Sequence, residues 1–132
     1  VGCGLKSNEE ACAGTFARAT ERALGKPVAW EVVGKNGANA KQMEEKFVPK
    51  IGEWCHARPD IIVLSVGVNN LLEMQRESNF EKDLTSLLRA ITDKVDGHSC
   101  IVVLGMPPMS MFVALTPLLK LYAGRRAKQF NE

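Results

Sequence analysis

The chain of 132 residues has no CxxC pair and no His–Cys ligand spacing among its four cysteines and two histidines. That removes the common zinc and dithiol patterns. Cys3, Cys12, Cys55 and Cys100 therefore read as buried free thiols rather than metal ligands or disulfides, which leans toward a reducing, cytoplasmic compartment. No apolar run approaches the roughly 18–20 residues that a bilayer span needs, so no transmembrane segment is expected. The N-terminus has no basic segment followed by an apolar one, so no signal peptide is expected either. No GxGxxG or GxxxxGK[ST] pattern occurs, which leaves a nucleotide or phosphate binder weakly supported. Net charge is only +2, too little to argue for a nucleic-acid partner or an anionic membrane. What is present is an ordinary globular balance, 45% hydrophobic and 24% charged. At this length the expectation is a single domain over residues 1–132. The start at Val1 and the close on Asn131-Glu132, inside a helical pattern, lead us to expect a processed product or a fragment.

Short apolar runs rich in β-branched residues alternate with helical patterns. Residues 28–33, Ile61–Ser65 and 101–106 read as strands. The second run is apolar on both faces, as suits a central parallel strand. Helices are predicted from about Asn8 to Leu24, over 40–48, from the Ser78/Glu81 spacing to Val95, and over roughly 115–131. Ser7 with Glu10 and Ser78 with Glu81 have capping-box spacing. Gly25 followed by Lys26-Pro27 is a stop signal. Pro49 interrupts the second helix, with Ile51 and Trp54 extending its apolar face in a short piece. Phe80, Leu84, Leu87, Leu88, Ile91 and Val95 form one stripe, and Leu118, Leu119, Tyr122 and Phe130 are the apolar positions of the last helix. The order α, β, α, β, α, β, α predicts an α/β fold, a parallel flavodoxin-like sheet between two helical layers.

Each predicted strand runs into a turn: Gly34-Lys35-Asn36-Gly37-Ala38-Asn39, Gly67-Val68-Asn69-Asn70 and Pro107-Pro108. In a parallel sheet all three open at the carboxyl edge, where such sheets bind ligands. Asn69 there reads either as an uncharged donor of two N–H groups to an oxyanion or as a turn residue capping its own backbone. Asn70 reads as the latter. Gly37 reads as a backbone N–H free to approach a ligand, or simply as a turn glycine. Lys35, Asn36 and Asn39 read as solvated loop residues. His56 and His98 precede strands and so fall at the opposite edge, out of reach of a nucleophile beside Asn69. Ser65 lies within a strand, Ser7 and Ser78 read as caps, and Ser110 has no activating base near it in sequence. The residues thus offer oxyanion donors without a nucleophile or a base.

With those motifs in view, the chain resembles the SGNH hydrolases, the GDSL-type esterases and lipases, over its whole length. Gly37 in Asn36-Gly37-Ala38-Asn39 matches the second-block glycine, and Asn69 in Gly67-Val68-Asn69 the third-block asparagine. The lead-in Arg58-Pro59-Asp60 with the strand after it, Gly105-Met106-Pro107-Pro108, and Val1-Gly2-Cys3-Gly4 also fit the family. The resemblance implies the three-layer α/β/α SGNH fold, incomplete at both ends. The first-block Gly-Asp-Ser strand would lie just before Val1, and the Asp-x-x-His segment after Glu132. It implies a serine ester hydrolase in which the serine attacks an ester carbonyl with a histidine base, while Gly37 N–H and Asn69 Nδ2 hold the oxyanion. It implies a small-molecule or lipid ester substrate, no cofactor and no metal. One departure is Asn70, where the family usually has Asp.

Two functions stand beside each other at this point. One is an ester hydrolase, to which this chain supplies the oxyanion side and which the 132 residues alone do not catalyse. The other is a non-catalytic α/β domain of the same descent, serving in binding or assembly. The stretch 109–115 reads as a packed loop or as an acyl-binding wall.

Overall fold

A computed structural model describes residues 6–53, 58–113 and 115–132. Trp54, Cys55, His56, Cys3 and the 1–4 loop lie outside the described residues. The chain divides into two compact units, Val1–Gly37 and Ala38–Glu132.

The first unit is built on helix α1 (Cys12–Leu24). The Ser7/Glu10 spacing does not start it. Residues 8–10 form a turn, and α1 begins after Ala11 with no side-chain cap. The reason is a close fold-back. A Cβ on Gly14 would stand 2.4 Å from the Glu9 carbonyl oxygen, and Gly14 N–H and Ala11 N–H both donate to Asn8 O. The turn's carbonyls are thereby tied to the helix start, and Arg18 Nη1 adds a bond to Glu9 O at 2.7 Å. Gly25 ends α1 as expected, at φ 65° with its N–H on Glu21 O.

Residues 28–33 are not a strand. Val28, Trp30 and Val32 are half-buried while Ala29, Glu31 and Val33 are exposed, so the alternation of a strand is present. Among the described residues, however, only two segments pair in a ladder, and this is not one of them. β-type composition describes fit to a pleated neighbour, and without that neighbour it specifies no strand.

The second unit holds a two-stranded parallel sheet, β1 (Ile61–Ser65) and β2 (Cys100–Leu104), in register from Ile61↔Cys100 to Ser65↔Leu104. Around it lie α2 (Ala40–Phe47), α3 (Val68–Leu72), α4 (Glu77–Lys94) and α5 (Pro117–Asn131), with 3-10 turns at Val48–Lys50 and Met109–Met111. This is an α/β arrangement. β1 is not buried on both faces: Leu64 packs into the core with Ile62 against it, while Ile61 and Val63 stay 45% and 37% exposed. Among the described residues, β1 has core cover on one face.

The core joins Leu64 and Val66, Leu71 of α3, Phe80, Leu87 and Ile91 of α4, Met106, Met109, and Ala123 and Ala127 of α5. The α4 stripe is as predicted, although the helix starts at Glu77 after Arg76 and Ser78 caps nothing. α5 starts at a Thr116 cap, whose hydroxyl accepts from Leu119 N. Its buried side is not the predicted one. Ala123 and Ala127 face the core, while Leu118 and Tyr122 are exposed. Phe130 instead stacks on Phe80 with ring centroids 4.6 Å apart, joining α5 to α4. Cys12 and Cys100 are free thiols but exposed rather than buried.

Candidate oxyanion site

The carboxyl end of β1 turns sharply because Gly67 permits it. Its φ is 110°, and an added Cβ would meet Met106 Cε at 2.4 Å and Phe80 Cζ at 3.0 Å. Only glycine satisfies both the backbone sign and the close approach. Of Gly67-Val68-Asn69-Asn70, expected as a plain turn, Gly67 is the N-cap and the other three already belong to α3. Leu71 N–H donates to Gly67 O at 2.9 Å, and the Leu71 side chain is buried in the core.

α3 aims two neighbouring asparagines at the start of α2. The Asn69 Nδ2 amide donates to the Ala38 carbonyl at 2.7 Å. Asn69 is half-buried, and its second Nδ2 proton has no partner among the described residues. Its side chain does not cap its own backbone. Asn70 is 1% exposed, the buried polar side chain of the core. Its Oδ1 accepts from Ala40 N–H at 3.1 Å, across thirty residues of chain. Asn70 is thus not a local turn cap: it serves the first turn of another helix, whose N–H groups have no partner within that helix. Its Nδ2 donates to Gln75 Oε1 at 2.6 Å, and Gln75 Nε2 donates to Asp83 Oδ2 at 2.6 Å. Arg126 Nη2 holds the Gln75 carbonyl at 2.6 Å.

Asn39, expected as a solvated loop residue, caps α2. Its side chain accepts from Gln42 N at 3.0 Å, and Gln42 Oε1 accepts from Asn39 N. Asn39 Nδ2 also donates to Glu73 Oε2 at 2.9 Å. The Asn-x-x-Gln spacing ahead of a helical pattern was the signal that finds it. Ala38 to Ala40 is therefore gripped by Asn69, its own cap and Asn70 in succession.

Gly37 closes the first unit, exposed, at φ 83°. No described atom lies within 4 Å of the place of its missing Cβ, so backbone sign rather than crowding is what asks for glycine there. His98 is exposed just ahead of β2, with Nε2 3.9 Å from Asp60 Oδ1 just ahead of β1. It lies at the amino edge of the sheet, as expected. His56 lies outside the described residues. Ser110 is exposed on the Met109–Met111 turn, and among the described residues of 109–115 only Met109 is fully buried. A cleft of about 560 Å³ opens beside the end of β2, between Phe80, Phe130 and Met106, and its lining does not include Asn69. Among the described residues no His/Cys/Asp/Glu cluster is arranged to hold a metal ion. Nor is any described helix long and apolar enough to cross a membrane.

The parallel α/β unit thus carries a glycine-hinged, asparagine-bearing helix at its carboxyl edge, where sheets of this kind bind their ligands. The family model of the GDSL-like Lipase/Acylhydrolase family matches residues 1–132, and the chain belongs to that family. No curated protein and no solved structure matches it.

Proposed function

We propose that this chain supplies the oxyanion-binding side of a serine ester hydrolase. In this reading Asn69 Nδ2 and Gly37 N–H are the donors to the developing charge of a tetrahedral intermediate. The observation that carries it is the division of labour in the Asn69 amide. One proton is spent on Ala38 O, which fixes the side chain, and the other remains to donate. A held, neutral donor costs no reorganisation when charge appears. Membership of the acylhydrolase family supports the substrate class, a small-molecule or lipid ester. It also supports the three-layer fold, with 1–132 forming part of one SGNH domain.

None of the 132 residues matches the family's nucleophile or its Asp-x-x-His pair, so hydrolysis belongs to a protein that also contains those blocks. Codons for Gly-Asp-Ser upstream and Asp-x-x-His downstream in the coding DNA are the expected finding. Residues 1–132 alone are expected to leave a short-chain aryl ester unhydrolysed. In the full protein, Asn69→Ala is expected to lower turnover by about 10²–10³. Unchanged turnover refutes the role of Asn69. The second reading, a non-catalytic binding or assembly domain, draws on Asn70, a neutral amide where the family usually has Asp. Flanking DNA without the serine and histidine blocks favours it.

A further inference from the structure

The amides behind Asn69 have a direction, and both ends of it are fixed by groups that cannot turn around. At one end Ala40 N–H can only donate, so it holds Asn70 by Oδ1. At the other end the Asp83 carboxylate can only accept, so it holds Gln75 by Nε2. Between them Asn70 Nδ2 must face Gln75 Oε1, and it does, at 2.6 Å. The run is Ala40 N–H to Asn70, Asn70 to Gln75, Gln75 to Asp83. No buried side-chain nitrogen or oxygen among the described residues is left without a partner.

We propose that Asn70, Gln75 and Asp83 act together as a positioning relay for Asn69, and that Asp83, read through Gln75, is what requires a neutral amide at position 70. The relay locks α3 to the start of α2, one residue along from the Asn69 donor. A carboxylate at 70 still accepts from Ala40 N–H, but it then presents an oxygen to Gln75 Oε1. If Gln75 turns its amide over to donate, its Oε1 meets the Asp83 carboxylate instead. Either way two acceptors face each other in a partly buried place, beside the fully buried Asn70, which is a costly arrangement for polar groups. Removing the charge at 83 resolves the conflict. With Asn at 83, Gln75 can donate to a carboxylate at 70 and accept from the new amide.

The activity side of this inference rests on Asn69 as the oxyanion donor, and its stability side does not. The test is a cycle in the full protein of Asn70→Asp, Asp83→Asn and the double variant, followed by Tm and by kcat and KM on an aryl ester. Asn70→Asp is expected to lower Tm by about 5 °C or more and kcat on the order of 10-fold, with KM little changed. Asp83→Asn alone is expected to shift Tm by no more than about 2 °C, since its Oδ1 still accepts from Gln75. The double variant is expected to recover both Tm and kcat. Additive losses in the double variant overturn the relay, as does an Asn70→Asp protein with unchanged Tm. If Asn70→Asp does not fold, a folded double variant supports the relay and an unfolded one overturns it. Recovery of Tm without recovery of kcat overturns the positioning role. Recovery of Tm in a protein in which no variant, nor the parent, hydrolyses esters sustains the relay and removes the hydrolase reading.

Discussion

The two edges of the sheet are built differently. The amino edge carries Asp60, His98 and the Arg58–Asp96 ion pair, at 2.6 Å but with side chains 63% and 64% exposed. Its interactions are charged and bathed in solvent. The carboxyl edge carries a glycine pressed against Met106 and Phe80 and a chain of neutral amides ending on one carboxylate. Its side-chain donors along that chain are neutral amides, and the bonds are partly or fully buried. Charges in water orient loosely and are screened. Amides held by buried partners keep a fixed direction, which a site for transient negative charge requires. The contrast favours the carboxyl edge as the place of the proposed oxyanion site.

Substitutions at the two edges are expected to separate accordingly. The largest effect belongs to Asn69→Ala, which removes about 2.7–4 kcal/mol of barrier lowering. It costs only about 1 kcal/mol of stability, the worth of its bond to Ala38 O. Steady-state kinetics beside urea unfolding checks that split, and equal losses in both would break the contrast. Gly67→Ala comes next. Backbone strain at φ 110° and the approach to Phe80 are expected to cost about 2–4 kcal/mol of unfolding free energy. At the amino edge Arg58→Ala is expected to cost at most about 1 kcal/mol, less in high salt, as suits an exposed pair. His98→Ala is expected to leave kcat and Tm where they are, since its contact to Asp60 is 3.9 Å and solvated. A large loss of activity in that variant would move the chemistry to the other edge.

Much of this is legible in the sequence. The dense β-branched run of β1, the α4 stripe and the Gly25 stop all speak through local pattern, and they appear where that pattern puts them. Gly67 and Asn69 are legible as a pair following a strand. What fails depends on partners distant in the chain. Residues 28–33 have strand composition but no ladder. α3 stays hidden because five residues are too few to show a helical period. Small size decides the buried side of α5: Ala123 and Ala127 fit close to the core while Leu118 does not. Asn70 and Asp83 carry no local sign of their connection, since Gln75 alone joins them.

The most direct test of the central claim follows the Asn69 side-chain amide itself. In the full protein, ¹⁵N-edited proton spectra are taken before and after the nucleophile is capped by an organophosphonate, whose oxygen occupies the oxyanion position. One Asn69 Nδ2 proton, the one not bonded to Ala38 O, is expected to move downfield as it takes up the phosphonyl oxygen. The proton bonded to Ala38 O is expected to stay in place. A fully capped protein in which neither resonance moves contradicts the account.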